Sequence, residues 1–143
     1  MSRAITLSRR YARESVAALV LLLLCLAACQ SDPNSPQGVA ERFVDQHYVL
    51  IDVKAAKPFS TGLALHKLES EEKLTEGNTI DETTMKPTVR YRLIERRDNP
   101  EQPAFIFEGT IYVDGSDGFT RKWLITTRRE NDAWKVSNFE EFD

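Results

Sequence analysis

The spacing of apolar residues changes near the middle of the chain, and this change predicts the architecture. Between residues 36 and 77 the apolar side chains recur every three or four positions, which is the period of an amphipathic helix. From about residue 84 they alternate with polar side chains, as in strands that have one buried face. We therefore expect an α+β fold in which two or three N-terminal helices pack on a curved, four-stranded antiparallel meander sheet.

The helix boundaries are predicted from capping residues. The first helix is expected to begin at Pro36 with Ser35 as its N-cap, and its apolar stripe includes Phe43. A short helix is expected at 53–57, and a longer one is expected from about residue 60 to residue 77.

Four segments with the period of strands follow the helices. They are TVRYRLIERR, AFIFEGTIYVD, FTRKWLITTRRE and AWKVSNFEEF. Alternation places Trp123 and Ile125 on one face of the third strand and Leu124 on the other. Asn131 and Asp132 predict a tight hairpin turn between the last two strands.

The first 28 residues have the layout of a secretory signal. A basic stretch ends at Arg13, an apolar run covers 16–28, and small residues precede Cys29. The 13 residues of the apolar run span about 20 Å as a helix, which is less than the hydrocarbon core of about 30 Å. The segment is therefore expected to direct export and to be removed.

The residues Leu26, Ala27, Ala28 and Cys29 resemble the lipobox of bacterial lipoproteins. The resemblance implies cleavage between Ala28 and Cys29 and attachment of lipid to the Cys29 sulfur, so that acyl chains such as palmitate hold the protein at a membrane. Because Gln30 rather than an aspartate follows the cysteine, it also implies the periplasmic face of the outer membrane in a Gram-negative host. The alternative is a signal in which Cys29 has no role.

The predicted organisation has three parts: a signal peptide at 1–28, a lipidated cysteine with a flexible tether at 29–37, and one α+β domain at 38–143. Cys25 is lost with the signal, so no intramolecular disulfide is possible in the mature chain. Of 19 basic and 22 acidic residues, four and one lie in the signal, which leaves a net charge of −6. An acidic domain argues against nucleic-acid binding, and the expected partners are the membrane and an envelope protein.

The order of helices and long hairpins, together with the closing segment WKVSNFEEF, resembles the cystatin-like or nuclear transport factor 2 (NTF2)-like superfamily. The resemblance covers about 36–143 and implies a cone formed by the sheet and the helices. In that superfamily the cone is empty, ligand-filled or enzymatic. Aromatic residues such as Tyr91, Phe105, Phe107 and Trp123 either line such a cone or fill the core.

No catalytic motif is present, and no cofactor or metal is expected. Enzymes of the superfamily place an aspartate, histidine or tyrosine in the cone. The nearest candidates here are His47 and Asp52, with Tyr48 and Asp45 beside them. The alternative to a catalytic role, for each of them and for His66, is a residue packed in the core or placed at the rim of the cone.

The predicted strands and their connections carry two further groups of charged residues. Arg90, Arg92 and Arg96 are expected on one strand face, which is either a face for an anionic ligand or a solvated face paired with acidic neighbours. The glycine-rich turn offers oxygen atoms suited to Ca²⁺, but too few for a good site. Those oxygens belong to Asp114, Ser116 and Asp117.

Three classes of function are compatible with these features. The favoured class is a lipid-anchored, non-catalytic accessory or binding module for a partner protein or an envelope component. The alternatives are an apolar-ligand carrier or sensor with a cone-shaped pocket, and a small isomerase- or dehydratase-like enzyme that uses His47 or Asp52. A pocket larger than about 300 Å³ with a histidine or carboxylate at its base would favour the carrier or the enzyme.

Replacement of Cys29 by serine tests the lipid anchor. We expect Cys29→Ser to abolish incorporation of labelled palmitate and to release the protein from the membrane fraction, because serine has no sulfur for a thioether bond. Cys25→Ser is the matched control and should leave labelling unchanged. Labelled fatty acid retained by Cys29→Ser would contradict the lipobox assignment.

Overall fold

In the described part of the chain three helices precede four strands, which confirms the predicted α+β fold. The computed structural model describes residues 31–77, 86–115 and 117–143, so the predicted signal peptide and Cys29 lie outside the described residues. The helices are α1 (Pro36–Val44), α2 (Val53–Ala56) and α3 (Gly62–Thr75), and the strands are β1 (Thr88–Arg97), β2 (Ala104–Tyr112), β3 (Phe119–Glu130) and β4 (Ala133–Phe142). A π-helical turn (Asp45–Val49) continues α1, and a 3-10 turn (Lys57–Phe59) follows α2.

The start of α1 is determined by a turn that precedes it. The hydroxyl of the predicted N-cap, Ser35, accepts a hydrogen bond from the Gly38 N–H at 3.0 Å, and the Ser35 N–H donates to the Asp32 carbonyl at 2.9 Å. A glycine is needed at position 38 because a Cβ there would lie 2.1 Å from the Asp32 oxygen. Residues 32–37 are therefore structured and do not belong to the flexible tether predicted at 29–37, which stays a prediction for the residues before Asp32.

The four strands form one antiparallel sheet in the order β1-β2-β3-β4, so each strand pairs with its neighbours in sequence. Asn131 and Asp132 have φ angles of 50° and 63°, the left-handed values that a type I′ hairpin turn requires. The predicted meander and its last turn are thus confirmed.

A β-bulge in β1 separates the three arginines that were predicted to share a face. The register pairs Arg92 with Glu108, then shifts between Leu93 and Glu95, so that Arg96 lies opposite Phe105. Directly opposed residues project from the same face of a sheet. Arg96 is therefore on the face of Phe105, with its guanidinium 6.0 Å from that ring, and not on the face of Arg92. The predicted grouping of Arg90, Arg92 and Arg96 is wrong because alternation does not continue through a bulge.

The inner face of the sheet packs on the helices and forms the core. Trp123 and Ile125 are buried on this face, whereas Leu124 projects from the other side, as alternation predicts. Phe105 and Phe107 are fully buried, so these two aromatic residues fill the core. Helix residues and β4 complete the same cluster, including Phe43, Val44, Leu68, Val136 and Phe139. Burial of each large apolar side chain contributes about 1.5–3 kcal/mol.

Gly109 of β2 leaves the space that the Trp123 ring occupies, because a Cβ at this position would lie 2.1 Å from Trp123 Cη2. We expect Gly109→Ala to lower the free energy of unfolding by about 1–3 kcal/mol through overpacking, measured by urea denaturation. The double variant with Trp123→Phe provides the control, since a smaller ring leaves room for the methyl group. Equal losses from Gly109→Ala in both backgrounds would show that Trp123 is not the cause.

Candidate functional site

An apolar cleft of about 420 Å³ lies between the π-helical turn, α3 and the inner face of the sheet. Its described lining comes from these three elements, from Ile51 and Val53 after the π-helical turn, and from Pro87, which precedes β1. The π-helical turn and the residues after it provide His47, Tyr48, Ile51 and Val53, α3 provides Glu71, Leu74 and Thr75, and the strands provide Val89, Ile111 and Trp123. The cleft exceeds the volume of about 300 Å³ at which small-molecule sites begin.

The π-helical turn positions the polar side chains of the cleft. Its wider backbone is closed by a hydrogen bond from the Leu50 N–H to the Asp45 carbonyl at 2.9 Å. Three side chains of this turn contact the sheet or its neighbours: Asp45 accepts from the Tyr91 hydroxyl at 2.7 Å, Tyr48 stacks on Trp123, and His47 lies 4.9 Å from the Phe139 ring. The turn thus brings three side chains within four positions of sequence against residues of the sheet.

His47 and Glu71 form the polar pair in the wall of the cleft. The distance between His47 Nε2 and Glu71 Oε2 is 2.7 Å, and their side chains are 11% and 38% exposed. A carboxylate only accepts hydrogen bonds, so Nε2 carries the proton in this contact. Among the described residues no group bonds to the buried Nδ1 atom. The imidazole is held between aromatic rings, with Phe43 at 5.3 Å and Tyr48 at 4.5 Å between ring centroids.

Tyr48 and Trp123 form the floor of the cleft. Their rings are parallel within 12° and their centroids are 4.1 Å apart, and the Trp123 indole N–H donates to Glu141 Oε2 at 3.1 Å. Burial, followed by the negative charges of Glu141 and Glu71, raises the pKa of the Tyr48 hydroxyl far above its ordinary value. The hydroxyl is therefore neutral and remains a hydrogen-bond donor throughout the physiological pH range.

A second, polar cavity of about 470 Å³ adjoins the cleft and shares His47, Tyr48 and Glu71 with it. Its other described lining residues are Lys67, Phe139, Glu140 and Glu141. The ammonium of Lys67 is already engaged, because it donates to the Asn138 side chain at 2.9 Å and to the Phe139 carbonyl at 2.6 Å. The described lining of this second cavity thus contains three carboxylates and one occupied ammonium, and we call it the acidic cavity.

Only part of the predicted site is assembled here. His47 and Tyr48 line the cleft, but Asp52 is the N-cap of α2, where its carboxylate accepts from the Ala55 N–H at 2.9 Å. Asp52 does not line the cleft, so its prediction as a catalytic residue loses its basis. Asp45 is bonded to Tyr91, whose pKa is raised by burial and by that hydrogen bond. His66 is exposed on α3.

Glu71 was missed by the sequence analysis. It lies 24 positions after His47, within the run ESEEKL, where neighbouring acidic residues face solvent or other partners. Glu69 is exposed, and Glu72 forms an ion pair with Lys57 that holds the pKa of Glu72 below its ordinary value. No local pattern distinguishes Glu71 from these residues.

The outer face of the sheet carries the remaining predicted basic residues. Arg92 donates two hydrogen bonds to Glu108, at 2.6 and 3.0 Å, which is the cross-strand pairing expected of a solvated face. Arg90 is exposed beside it. Anion binding at Arg90 and Arg92 stays a prediction.

In the described ranges no cluster of three or more metal-ligating side chains occurs. Asp114 and Asp117 are described, but Ser116, the third residue of the predicted Ca²⁺ group, lies outside the described residues. None of the helices in the described part of the chain has the length and apolar character needed to cross a membrane.

The comparisons with known proteins bear on the fold. No protein-family model matches the sequence, and no curated protein matches it. The chain is similar in structure to a protein described as a calcium/calmodulin-dependent protein kinase type II association domain from Thiobacillus denitrificans, with a TM-score of 0.59 and 8% identity. This similarity covers 78% of the present chain and 97% of the other.

A designed NTF2 protein is similar over 78% of this chain and 100% of its own, with a TM-score of 0.53 and 9% identity. The fold is NTF2-like. The VirB8 protein of Agrobacterium tumefaciens is also similar, with a TM-score of 0.51 and 12% identity over 74% of this chain and 88% of the other. At such identities the similarity establishes the fold and not the function.

Tyr48→Phe tests the raised pKa of this hydroxyl. The unfolded chain releases the tyrosine proton near pH 10, whereas the folded chain retains it to higher pH. Stability from this group is therefore present below about pH 10 and is lost as the pH rises further, by about 1.4 kcal/mol per pH unit. We expect Tyr48→Phe to reduce this loss, measured by urea unfolding between pH 8 and pH 11. The exposed Tyr112→Phe is the control for removal of a hydroxyl, and an unchanged pH dependence in Tyr48→Phe would contradict the assignment.

Proposed function

We propose that this protein is a lipid-anchored lipoprotein of the bacterial envelope whose NTF2-like domain binds a small, largely apolar ligand in the cleft. The observation that carries the proposal is the apolar cleft of about 420 Å³ with the His47 and Glu71 pair in its wall. A site of this kind, apolar with a few convergent polar groups, is the usual form of a small-molecule pocket. It favours ligand binding over a purely accessory role.

The rim of the cleft gives further support. Leu74 lines the cleft and is 83% exposed, so an apolar ligand would remove part of this side chain from water. Thr75 is polar, but its hydroxyl already donates to the Glu71 carbonyl at 3.0 Å. The lining therefore offers apolar surface with few unsatisfied groups, which suits a ligand of the same character.

The lipid anchor in this proposal rests on the lipobox. Only Gln30 and Ser31 separate Cys29 from Asp32, where the folded domain begins. Three residue steps reach at most about 11 Å, so a lipid on Cys29 would hold the domain directly beside the membrane. In a Gram-negative host the absence of an aspartate after the cysteine favours the outer membrane.

A protein partner is the second candidate, and exposed aromatic residues at one end of the sheet favour it. Tyr112, Phe119 and Phe142 lie at the end where β2 and β4 finish and β3 begins, and each is more than 40% exposed. Exposed aromatic side chains are frequent in protein interfaces. An isomerase- or dehydratase-like activity through His47 stays a prediction.

Quenching of Trp123 fluorescence tests ligand binding. The chain has two tryptophans, Trp123 and Trp134, so in Trp134→Phe the tryptophan fluorescence comes from Trp123 alone. The full lipidated protein is held in neutral phosphatidylcholine vesicles and titrated with 8-bromooctan-1-ol, whose bromine quenches tryptophan on contact. We expect saturable quenching with a dissociation constant on the order of 1 mM or below, given about ten heavy atoms in the probe.

Val89→Phe in the same background is the matched control, because a larger side chain fills the cleft from β1. It should weaken saturable quenching while leaving the fold unchanged by circular dichroism. Quenching that stays linear in probe concentration, or that is equal in both proteins, would contradict ligand binding in the cleft.

A further inference from the structure

The polar atoms of the cleft are arranged around a carboxylate, and this limits the ligands that fit. We propose that the occupant is an amphipathic cation, an amine or quaternary ammonium with an alkyl or aryl body, whose cationic head lies against Glu71 and whose body fills the apolar cleft. This inference rests on the proposed ligand binding and specifies the chemical class of the ligand.

Among the described residues, the lining of the cleft contains a single carboxylate. Glu71 is the only acidic residue among the described lining residues, and no arginine or lysine is among them. One oxygen of Glu71 contacts His47, and no described side chain donates to the other, Oε1. A group on the ligand that carries hydrogen-bond donors and positive charge would occupy this position, because charge-assisted hydrogen bonds are roughly twice as strong as neutral ones.

The acidic cavity extends the same preference beyond Glu71. Glu140 and Glu141 line it together with Glu71, whereas Lys67 is engaged by β4. Arg121 offsets part of the charge, since its Nε lies 3.5 Å from Glu141 Oε1. Among the described charged residues named here, the three carboxylates outnumber the two cations, Lys67 and Arg121, when His47 is not counted. A positive head at Glu71 would therefore experience a favourable potential from the cleft and from the acidic cavity.

The environment of Tyr48 also favours a positively charged ligand head over a negatively charged one. Its hydroxyl is in the negative field of Glu141 and Glu71, both of which disfavour loss of its proton. The same field would act against a carboxylate or phosphate head placed beside Tyr48. A cation placed there would contact the Tyr48 ring, which lines the acidic cavity, whereas the Phe139 ring already has the Lys67 ammonium 5.1 Å from its centroid.

Three probes with one eight-carbon body and different heads separate the possibilities. They are 8-bromooctylammonium, 8-bromooctan-1-ol and 8-bromooctanoate, titrated at pH 7.5 against the lipidated Trp134→Phe protein in neutral phosphatidylcholine vesicles, with free probe measured in each sample. We expect the ammonium to bind about tenfold more tightly than the alcohol, and the carboxylate to bind more weakly than the alcohol.

Glu71→Gln removes the charge but keeps an oxygen acceptor for His47, and Glu69→Gln is the matched control on the exposed side of α3. We expect Glu71→Gln to abolish the preference for ammonium over alcohol, measured as the ratio of the two dissociation constants in the same variant. Glu69→Gln should retain the preference of the parent protein.

The outcomes distinguish the inference from the proposed function. Saturable binding of the alcohol without a preference for ammonium, or a preference that survives Glu71→Gln, overturns the cationic ligand and leaves apolar ligand binding intact. Tighter binding of the carboxylate overturns it as well. Failure of all three probes to quench Trp123 saturably overturns both proposals.

Discussion

The packing of Trp123 on Gly109 and Tyr48 is the contact on which the site depends. One side of the indole occupies the space above Gly109, where any Cβ would collide with it, and its ring stacks on Tyr48 at 4.1 Å. Through this stack the sheet holds the π-helical turn, and through the turn it holds His47. The same indole donates to Glu141, so its orientation is set by packing and by a hydrogen bond together.

The cleft exists because the core ends at this stack. Phe105 and Phe107 fill the sheet face toward one side, while beyond Trp123 the lining is made of smaller apolar side chains such as Val89 and Ile111. Close packing in the first region and incomplete filling in the second follow from the different side-chain volumes on one face of the sheet. An NTF2-like fold thus carries a solid core and an open cleft in one layer.

The charges beside the cleft restrict the class of ligand that fits it more than the shape of the cleft does. In the proposed ligand binding, an apolar wall would accept many ligand bodies, whereas the carboxylate that contacts His47 would discriminate between the heads of those ligands. Glu71 is supplied by α3 and His47 by the π-helical turn, so their distance depends on the packing of two helical elements. Small changes in that packing would alter the proposed ligand preference without altering the fold.

Local chemistry was sufficient to predict the order of elements. The N-cap at Ser35, the hairpin turn at Asn131 and Asp132, and the faces of Trp123 and Leu124 all depend on residues adjacent in sequence, and all were predicted. The lipobox at Cys29 is likewise a local signal, and the membrane anchor it implies stays a prediction.

Tertiary structure decided the rest. The bulge after Leu93 moved Arg96 to the opposite face, and Asp52 became a helix cap instead of a cleft residue. Glu71 met His47 across 24 positions, although nothing in its run of acidic neighbours distinguished it. A strand's period and a cap are properties of neighbouring residues, whereas a cleft and its charged pair are formed by surfaces that only the packed chain brings together.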